Sequence, residues 1–247
     1  MGINVELHTH TCHSHDSTLG KWFYLFMLKL RRINVVAITD HDEIKGALKF
    51  KPFLEKHSIR VIIGEEIFSS KGEIIGLFIN EKIRPGKSPR DTMLEIKKQG
   101  GIVYIPHPYD EKRYKTVLVE EEIRKNLDLI DIIEVHNGRN IKGYFSEIQL
   151  EIANRYNATK AIGSDAHTFI ELGRNYNVME EFNDDPQRFK ENLKRAKYVQ
   201  KECLQMAHHI TKFARVFKLI KRGKYSELSR IINKKFRNRK QKISNKN

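Results

Sequence analysis

His8-Thr9-His10-Thr11-Cys12-His13-Ser14-His15-Asp16 puts four imidazoles, a thiol and a carboxylate into one short run. Neutral imidazole is the commonest metal ligand near physiological pH. The preceding Ile3-Asn4-Val5-Glu6-Leu7 alternates in polarity as a short strand does. Residues two apart on a strand point the same way, so His8 and His10 can converge on one ion. Similar chemistry recurs after other apolar runs, at Thr39-Asp40-His41-Asp42, Gly64-Glu65-Glu66, Pro106-His107-Pro108, Glu134-Val135-His136-Asn137 and Gly163-Ser164-Asp165-Ala166-His167. Two prolines fix the direction of His107, and Asp165 and His167 repeat the spacing of His8 and His10. His13, His15 and Cys12 read as lining of the first loop.

The donors are imidazole and carboxylate, with no convergent thiols, which favours zinc, manganese or iron over a structural thiolate site. They outnumber the four ligands of one tetrahedral zinc. Two or three divalent ions are therefore expected, with Glu66 as the carboxylate that bridges them and offsets their repulsion.

The elements that must position these residues alternate. Strand-like runs fall at Asn4 to Leu7, Val35 to Ile38, Val61 to Ile63, Ile74 to Ile79, Ile102 to Ile105, Ile130 to Val135 and Lys160 to Ile162. Helix-like stretches fall around residues 18–32, 43–57, 89–99, 118–126, 143–156 and 186–200. This order predicts an α/β fold of parallel strands with crossover helices. In a parallel barrel every strand end opens on one rim, where active sites sit. The most apolar run, Trp22 to Leu30, is too short to span a bilayer and is broken by Lys29, so it is expected to be the buried face of the first helix.

The net charge of +15 over 247 residues is unevenly spread. From Lys194 onward there are 18 Lys and Arg against Glu202 and Glu227, which leaves the rest of the chain close to neutral. The sequence thus divides into a body, 1–193, and a basic extension, 194–247. Two cysteines make no disulfide framework, and no secretion signal or transmembrane stretch is visible, so a cytoplasmic location is expected. In the extension Ile210, Phe213, Ala214, Phe217 and Ile220 recur at helical spacing, as do Tyr225, Leu228, Ile231, Ile232 and Phe236. Two basic amphipathic helices and a disordered end are expected. They would either dock on the body or meet an anionic membrane surface or a nucleic acid.

The runs His8 to Asp16, Thr39-Asp40-His41-Asp42, Gly64-Glu65-Glu66, His107-Pro108 and Gly163-Ser164-Asp165-Ala166-His167, in their order, resemble the motifs of the PHP family, the polymerase and histidinol phosphatase domain, over roughly residues 3–185. The resemblance implies a distorted (β/α)7 barrel, TIM-like, with two or three divalent metals at its mouth and hydrolysis of phosphate esters. Carried over, it implies one metal on His8, His10, Glu66 and Asp165, a second sharing Glu66 and taking His107, and a third on Asp16, His41 and His167. Where many relatives have a ligand His after the Glu motif, this chain has Glu73. Glu73 is either an oxygen ligand, hardening the site toward manganese or iron, or a solvated residue at a strand start. His136 is a weaker substitute.

Water activated by the metals is expected to attack phosphorus with no covalent enzyme intermediate. Asp165 belongs to this catalytic set, and Asp40 or His41 would manage protons, with His41 favoured as a ligand. Arg113, Arg139 and Arg174 lie near motif ends and are expected to read the substrate phosphate. The leading expectation is a phosphatase for a small phosphomonoester such as a nucleotide or sugar phosphate. A 5′-3′ exonuclease or phosphodiesterase on short oligonucleotides is a second, and a non-catalytic membrane- or nucleic-acid-binding module a third.

Overall fold

The computed structural model describes residues 2–221 together with 223, 225, 226 and 229. The strands are β1 (Ile3–Glu6), β2 (Val35–Ile38), β3 (Arg60–Ser69), β4 (Gly72–Leu77), β5 (Ile102–Ile105), β6 (Ile132–Asn137), β7 (Thr159–Gly163), β8 (Tyr176–Met179) and β9 (Lys197–Val199). The helices are α1 (Lys21–Leu30), α2 (Lys45–Glu55), α3 (Pro89–Lys98), α4 (Glu120–Lys125), α5 (Tyr144–Arg155), α6 (Pro186–Leu193) and α7 (Gln205–Lys221). Helix starts follow local chemistry. Ser88 accepts from the Asp91 N–H ahead of Pro89, and Asp185 does the same for Gln187 and Arg188 ahead of Pro186.

The strands form one sheet in the order β7-β6-β5-β4-β3-β2-β1-β8-β9. It curls into a nearly closed barrel, as expected from the sequence. At the rim, Thr9 bridges Ala166 in parallel, with the His10 N–H donating to the Ala166 carbonyl at 2.9 Å. Lower down, the Asn177 side chain substitutes for a strand edge. It accepts from the Ile162 N–H at 3.1 Å and donates to the carbonyls of Ile162 at 2.9 Å and Val5 at 3.2 Å.

Side-chain alternation sorts the core. Val35 and Ala37 of β2, Ile75 and Leu77 of β4, and Ile102 and Tyr104 of β5 share one cluster with Phe182 and Phe189. Val36 and Ile38 face the opposite way, onto Tyr24 and Leu28 of α1 and Phe50 of α2.

Four expectations change. The sheet is not all parallel, because β4 runs antiparallel to both β3 and β5. The reversal follows from the two-residue connection Ser70-Lys71, which is too short for a crossover. The stretch 186–200 holds a helix only to Leu193, after which β9 pairs with β8. The run Trp22 to Leu30 does form α1, but only Tyr24, Met27 and Leu28 are buried, while Trp22, Phe23, Phe26 and Leu30 are each more than 60 % exposed. In α7, Ala207, Thr211 and Leu219 are buried whereas Phe213 and Phe217 are exposed. The second helix expected from Tyr225 to Phe236 and the basic end lie, except for isolated positions, outside the described residues. No helix among the described residues is long and apolar enough to cross a membrane.

Candidate metal centre

His8 and His10 follow the end of β1, and His41 follows β2 by three residues. On β3, Glu66 lies four residues from Ile62, which belongs to the inner core, so the two share a face. The reversal of β4 decides the place of Glu73. Its start, not its end, lies at the rim, where Glu73 pairs with Phe68, and it shares a face with the inward Ile75 and Leu77. His107 and Asp165 both have positive φ, 29° and 51°, in the region that residues with a Cβ seldom adopt. Such backbone strain is characteristic of functional sites.

These side chains meet. Glu66 Oε2 lies 3.4 Å from His8 Nε2, 3.3 Å from His10 Nε2 and 3.1 Å from His41 Nδ1. Asp165 Oδ1 lies 3.6 Å from His8 Nε2 and 3.3 Å from His10 Nε2. Donors bonded at about 2.1 Å to one tetrahedral ion stand about 3.4 Å apart. These separations are of that order, and the donors that all approach one another closely are His8, His10 and Glu66 in one group and His8, His107 and Asp165 in another. On the other side of Glu66, His107 Nε2 is 3.2 Å from Glu66 Oε1 and 3.5 Å from Glu73 Oε2. Asp16 Oδ2 is 3.2 Å from His167 Nε2 and 3.7 Å from His41 Nε2. His10, His41 and His167 also form a triad of mutually close nitrogens.

The fit to cations is electrostatic as well as geometric. His8 Nε2, His10 Nε2, His167 Nε2, Glu66 Oε2 and Asp16 Oδ1 are buried without a hydrogen-bond partner. Buried polar atoms are seldom left so, and a cation is what this mixture of lone pairs and carboxylate oxygens can hold. Burial opposes ionisation of Glu66, yet His41, His8 and His107 outweigh it and hold its pKa well below the usual range. At Asp165 burial is likewise overcome, by Arg113 and His8. His41 responds in the opposite sense. Burial works against its charge, but Glu66, Asp16 and Glu73 raise it to about 9. Without metal, imidazolium protons thus take the place of positive charge the carboxylates require.

Neighbouring groups orient the imidazoles. His167 Nδ1 donates to the Asp165 carbonyl at 2.9 Å, which leaves the Nε2 lone pair toward Asp16. His8 Nδ1 is held by Glu134 Oε1 at 3.2 Å, and His10 Nδ1 meets Ser14 Oγ at 3.2 Å. Gly163 permits this closeness, since a Cβ there would stand 2.6 Å from the His8 Cβ and 2.7 Å from Glu134 Oε1.

Glu134 is the main residue that sequence reasoning missed. It also accepts from Tyr104 Oη at 2.7 Å, the His107 N–H at 2.7 Å and Asn137 Nδ2 at 2.8 Å. Its signal was its place at a strand end, where the adjacent His136 drew attention instead. A register shift between Glu134 and His136 breaks the alternation of β6. His136 consequently meets Ser146 Oγ at 2.7 Å and the Lys201 carbonyl at 3.2 Å, and it joins none of the close donor groups. A carboxylate that orients a ligating imidazole is worth about 10- to 100-fold in metal affinity or activity. Glu134→Gln, which keeps the size and removes the charge, is expected to weaken metal affinity by that amount in a chelator-competition titration. Unchanged affinity would remove Glu134 from the site.

The remaining expected residues are placed as follows. Asp40 spends both oxygens on Thr11, accepting from its N–H and its hydroxyl at 2.6 Å each. It anchors the His-rich loop and is not among the close donor groups. Arg113 reaches the cluster, pairing with Asp165 Oδ2 at 2.5 Å and Asp110 Oδ2 at 3.1 Å. Arg139 pairs with Glu171 at 3.2 Å and donates to Thr211 of α7 at 3.0 Å. Arg174 donates to the Glu202 carbonyl at 3.3 Å. His15 is exposed, 3.8 Å from Asp16. Lys218 of α7 donates to the carbonyls of Cys12 at 2.7 Å and Ser14 at 2.5 Å, docking that helix on the loop that ends in Asp16.

The family model described as the PHP domain matches residues 6–240. The chain belongs to the PHP domain family. An uncharacterized protein of Methanocaldococcus jannaschii is 33 % identical to this PHP chain over 190 residues, covering 73 % of it and 72 % of the relative. Among solved structures, a proposed metal-dependent phosphoesterase of Bifidobacterium adolescentis superposes with a TM-score of 0.58 at 18 % identity, covering 78 % of this chain and 96 % of the other. The lesion-specific endonuclease PfuEndoQ of Pyrococcus furiosus superposes with a TM-score of 0.57 at 16 % identity, covering 80 % of this chain and 58 % of the other. At these identities the two structures speak to the PHP barrel itself.

Proposed function

We propose that this PHP-family hydrolase, which acts on phosphate esters with the help of divalent metal ions, cleaves a small phosphomonoester such as a nucleotide or sugar phosphate. The observation that carries the reading is the depth of the donor cluster. His8, His10, Glu66, His107 and Asp165 are each no more than 1 % exposed, whereas Asp16, His41 and Arg113 form the rim that reaches solvent. A terminal phosphoryl group can enter such a recess, while an internal phosphodiester carries chain on both sides.

In this reading His8, His10, Glu66 and Asp165 hold one ion. Glu66 also faces the pair His107 and Glu73, and Asp16, His41 and His167 form the outer set. Ions bound there supply an activated water and neutralise phosphoryl charge. Glu66 keeps opposed carboxylate oxygens toward both inner sets. Glu134 and the Asp165 carbonyl fix the ring orientations of His8 and His167. Arg113 holds Asp165 and adds a rim cation where phosphate oxygens arrive. Asp40, through Thr11, positions the loop.

Short oligonucleotides are the second reading. It is favoured by the seat of the basic helix α7 beside the rim, where Lys218 grips the loop carbonyls. Nucleotide and sugar monophosphates assayed with manganese beside 5′-phosphorylated oligonucleotides separate the two. Preferred monophosphate turnover, insensitive to salt, supports the first. Preferred oligonucleotide cleavage that falls steeply with salt supports the second. No hydrolysis of either by metal-loaded protein rejects both.

A further inference from the structure

The outer surface of α1 contradicts ordinary helix patterning. Tyr24, Met27 and Leu28 pack inward, yet the opposite side presents Trp22, Phe23, Phe26 and Leu30, exposed by 65 %, 66 %, 61 % and 61 %. At 100° per residue these four fall within one arc of about 100°. A helix apolar on all sides is normally enclosed by protein or lipid. The stripe continues onto neighbouring elements. Trp22 meets Phe53 of α2 edge-on at 4.8 Å, and Phe23 lies 6.2 Å from Phe169, two residues beyond His167. The apolar surface thus adjoins the segment that carries a donor of the metal centre.

Its frame is cationic. Lys21, Lys29 and Arg32 are exposed around the stripe, and no Asp or Glu occurs between Ser17 and Thr39. The adjacent α2 exposes Lys45 and Lys49 against one exposed acid, Glu55, and the exposed Lys56 follows it. We propose that this face docks on an anionic lipid surface, with Trp22, Phe23, Phe26 and Leu30 entering the headgroup region and the lysines and arginines meeting lipid phosphates. Aromatic and aliphatic side chains ringed by Lys and Arg are the composition of interfacial helices. A second copy is the weaker occupant. The α1 stripe offers on the order of 500 Å², below the roughly 800 Å² per partner of a standard stable interface. A symmetric pairing would also set the same cations against one another. The inference is independent of which phosphoester is cleaved.

The chain reports on itself, because Trp22 is its only tryptophan. The full-length protein is mixed with phosphatidylcholine vesicles, with and without phosphatidylglycerol. Anionic vesicles are expected to shift the Trp22 emission to shorter wavelength, and brominated acyl chains to quench it. The Phe23→Ser, Phe26→Ser double variant is expected to lose at least about tenfold in vesicle partitioning. Its hydrolysis of a soluble phosphomonoester should be unchanged, since neither residue touches the donor cluster. Vesicle binding that leaves Trp22 emission unmoved would show attachment through the basic extension and overturn the proposal. So would a dimer that the double variant abolishes. Emission already blue and shielded from acrylamide in the free protein would show that another part of the chain covers the stripe, and would overturn it equally.

Discussion

Glu66→Gln is expected to lower phosphoester hydrolysis roughly a thousandfold, about 4 kcal/mol of transition-state stabilisation. Among the described residues, Glu66 is the carboxylate within 3.5 Å of four imidazoles, those of His8, His10, His41 and His107. An amide of the same size keeps the packing but cannot give an anionic oxygen to both inner sets. Its NH2 group would also face imidazole nitrogens that should present lone pairs to a cation. Elemental analysis should show the variant losing at least one equivalent of metal relative to the parent chain. A variant with full metal content and full activity would mean that the imidazoles gather around something other than a bridging carboxylate.

Removal of the metal is expected to have the second largest effect, on stability. The cluster buries Glu66 and Asp165, and partly buries Asp16, as ionised groups: burial raises their pKa values, and neighbouring positive charge and hydrogen bonds hold them low. A ligand present at a hundred to a thousand times its Kd stabilises by about 3–4 kcal/mol. For a chain of this size that corresponds to a melting shift of roughly 10 °C. The pH dependence of the stripped protein has a definite sign. His41 is raised to about 9 by Glu66, Asp16 and Glu73 against the effect of burial. Its imidazolium therefore contributes stability that is complete below its unfolded pKa near 6.5 and is lost as pH rises through about 9. Metal binding needs the same nitrogens deprotonated and gains over that window. The melting difference between loaded and stripped protein should widen from pH 6.5 to 9. A difference that stays constant or narrows would show that protons and metal do not compete for this cluster.

The relation of Arg113 to this cluster differs from that expected for a residue reserved for substrate. Its guanidinium is engaged by Asp165 and Asp110. It therefore helps to keep the Asp165 carboxylate ionised within the donor cluster. The same economy appears at Asp40. A carboxylate in a motif rich in candidate donors holds, through Thr11, the loop that carries His10.

The sequence by itself determined which residues could assemble a metal centre and that a barrel would present them. Ligand chemistry is written in residue type, and rim placement follows from strands that each end in His, Asp or Glu. Val35–Ile38 and Ile102–Ile105 could be read to the residue because short buried strands are continuous apolar runs. Only the tertiary structure decided the rest. The reversal of β4 brought Glu73 to the rim, and a register shift in β6 turned His136 away while keeping Glu134 behind His8. The first needed the strand ends at Ser69 and Gly72, which an apolar run does not mark, and the second depends on pairing with β7, which no local pattern encodes. The exposure of Trp22, Phe23, Phe26 and Leu30 was equally invisible, because an apolar residue states what it would gain by leaving water and not whether a neighbour is there to cover it.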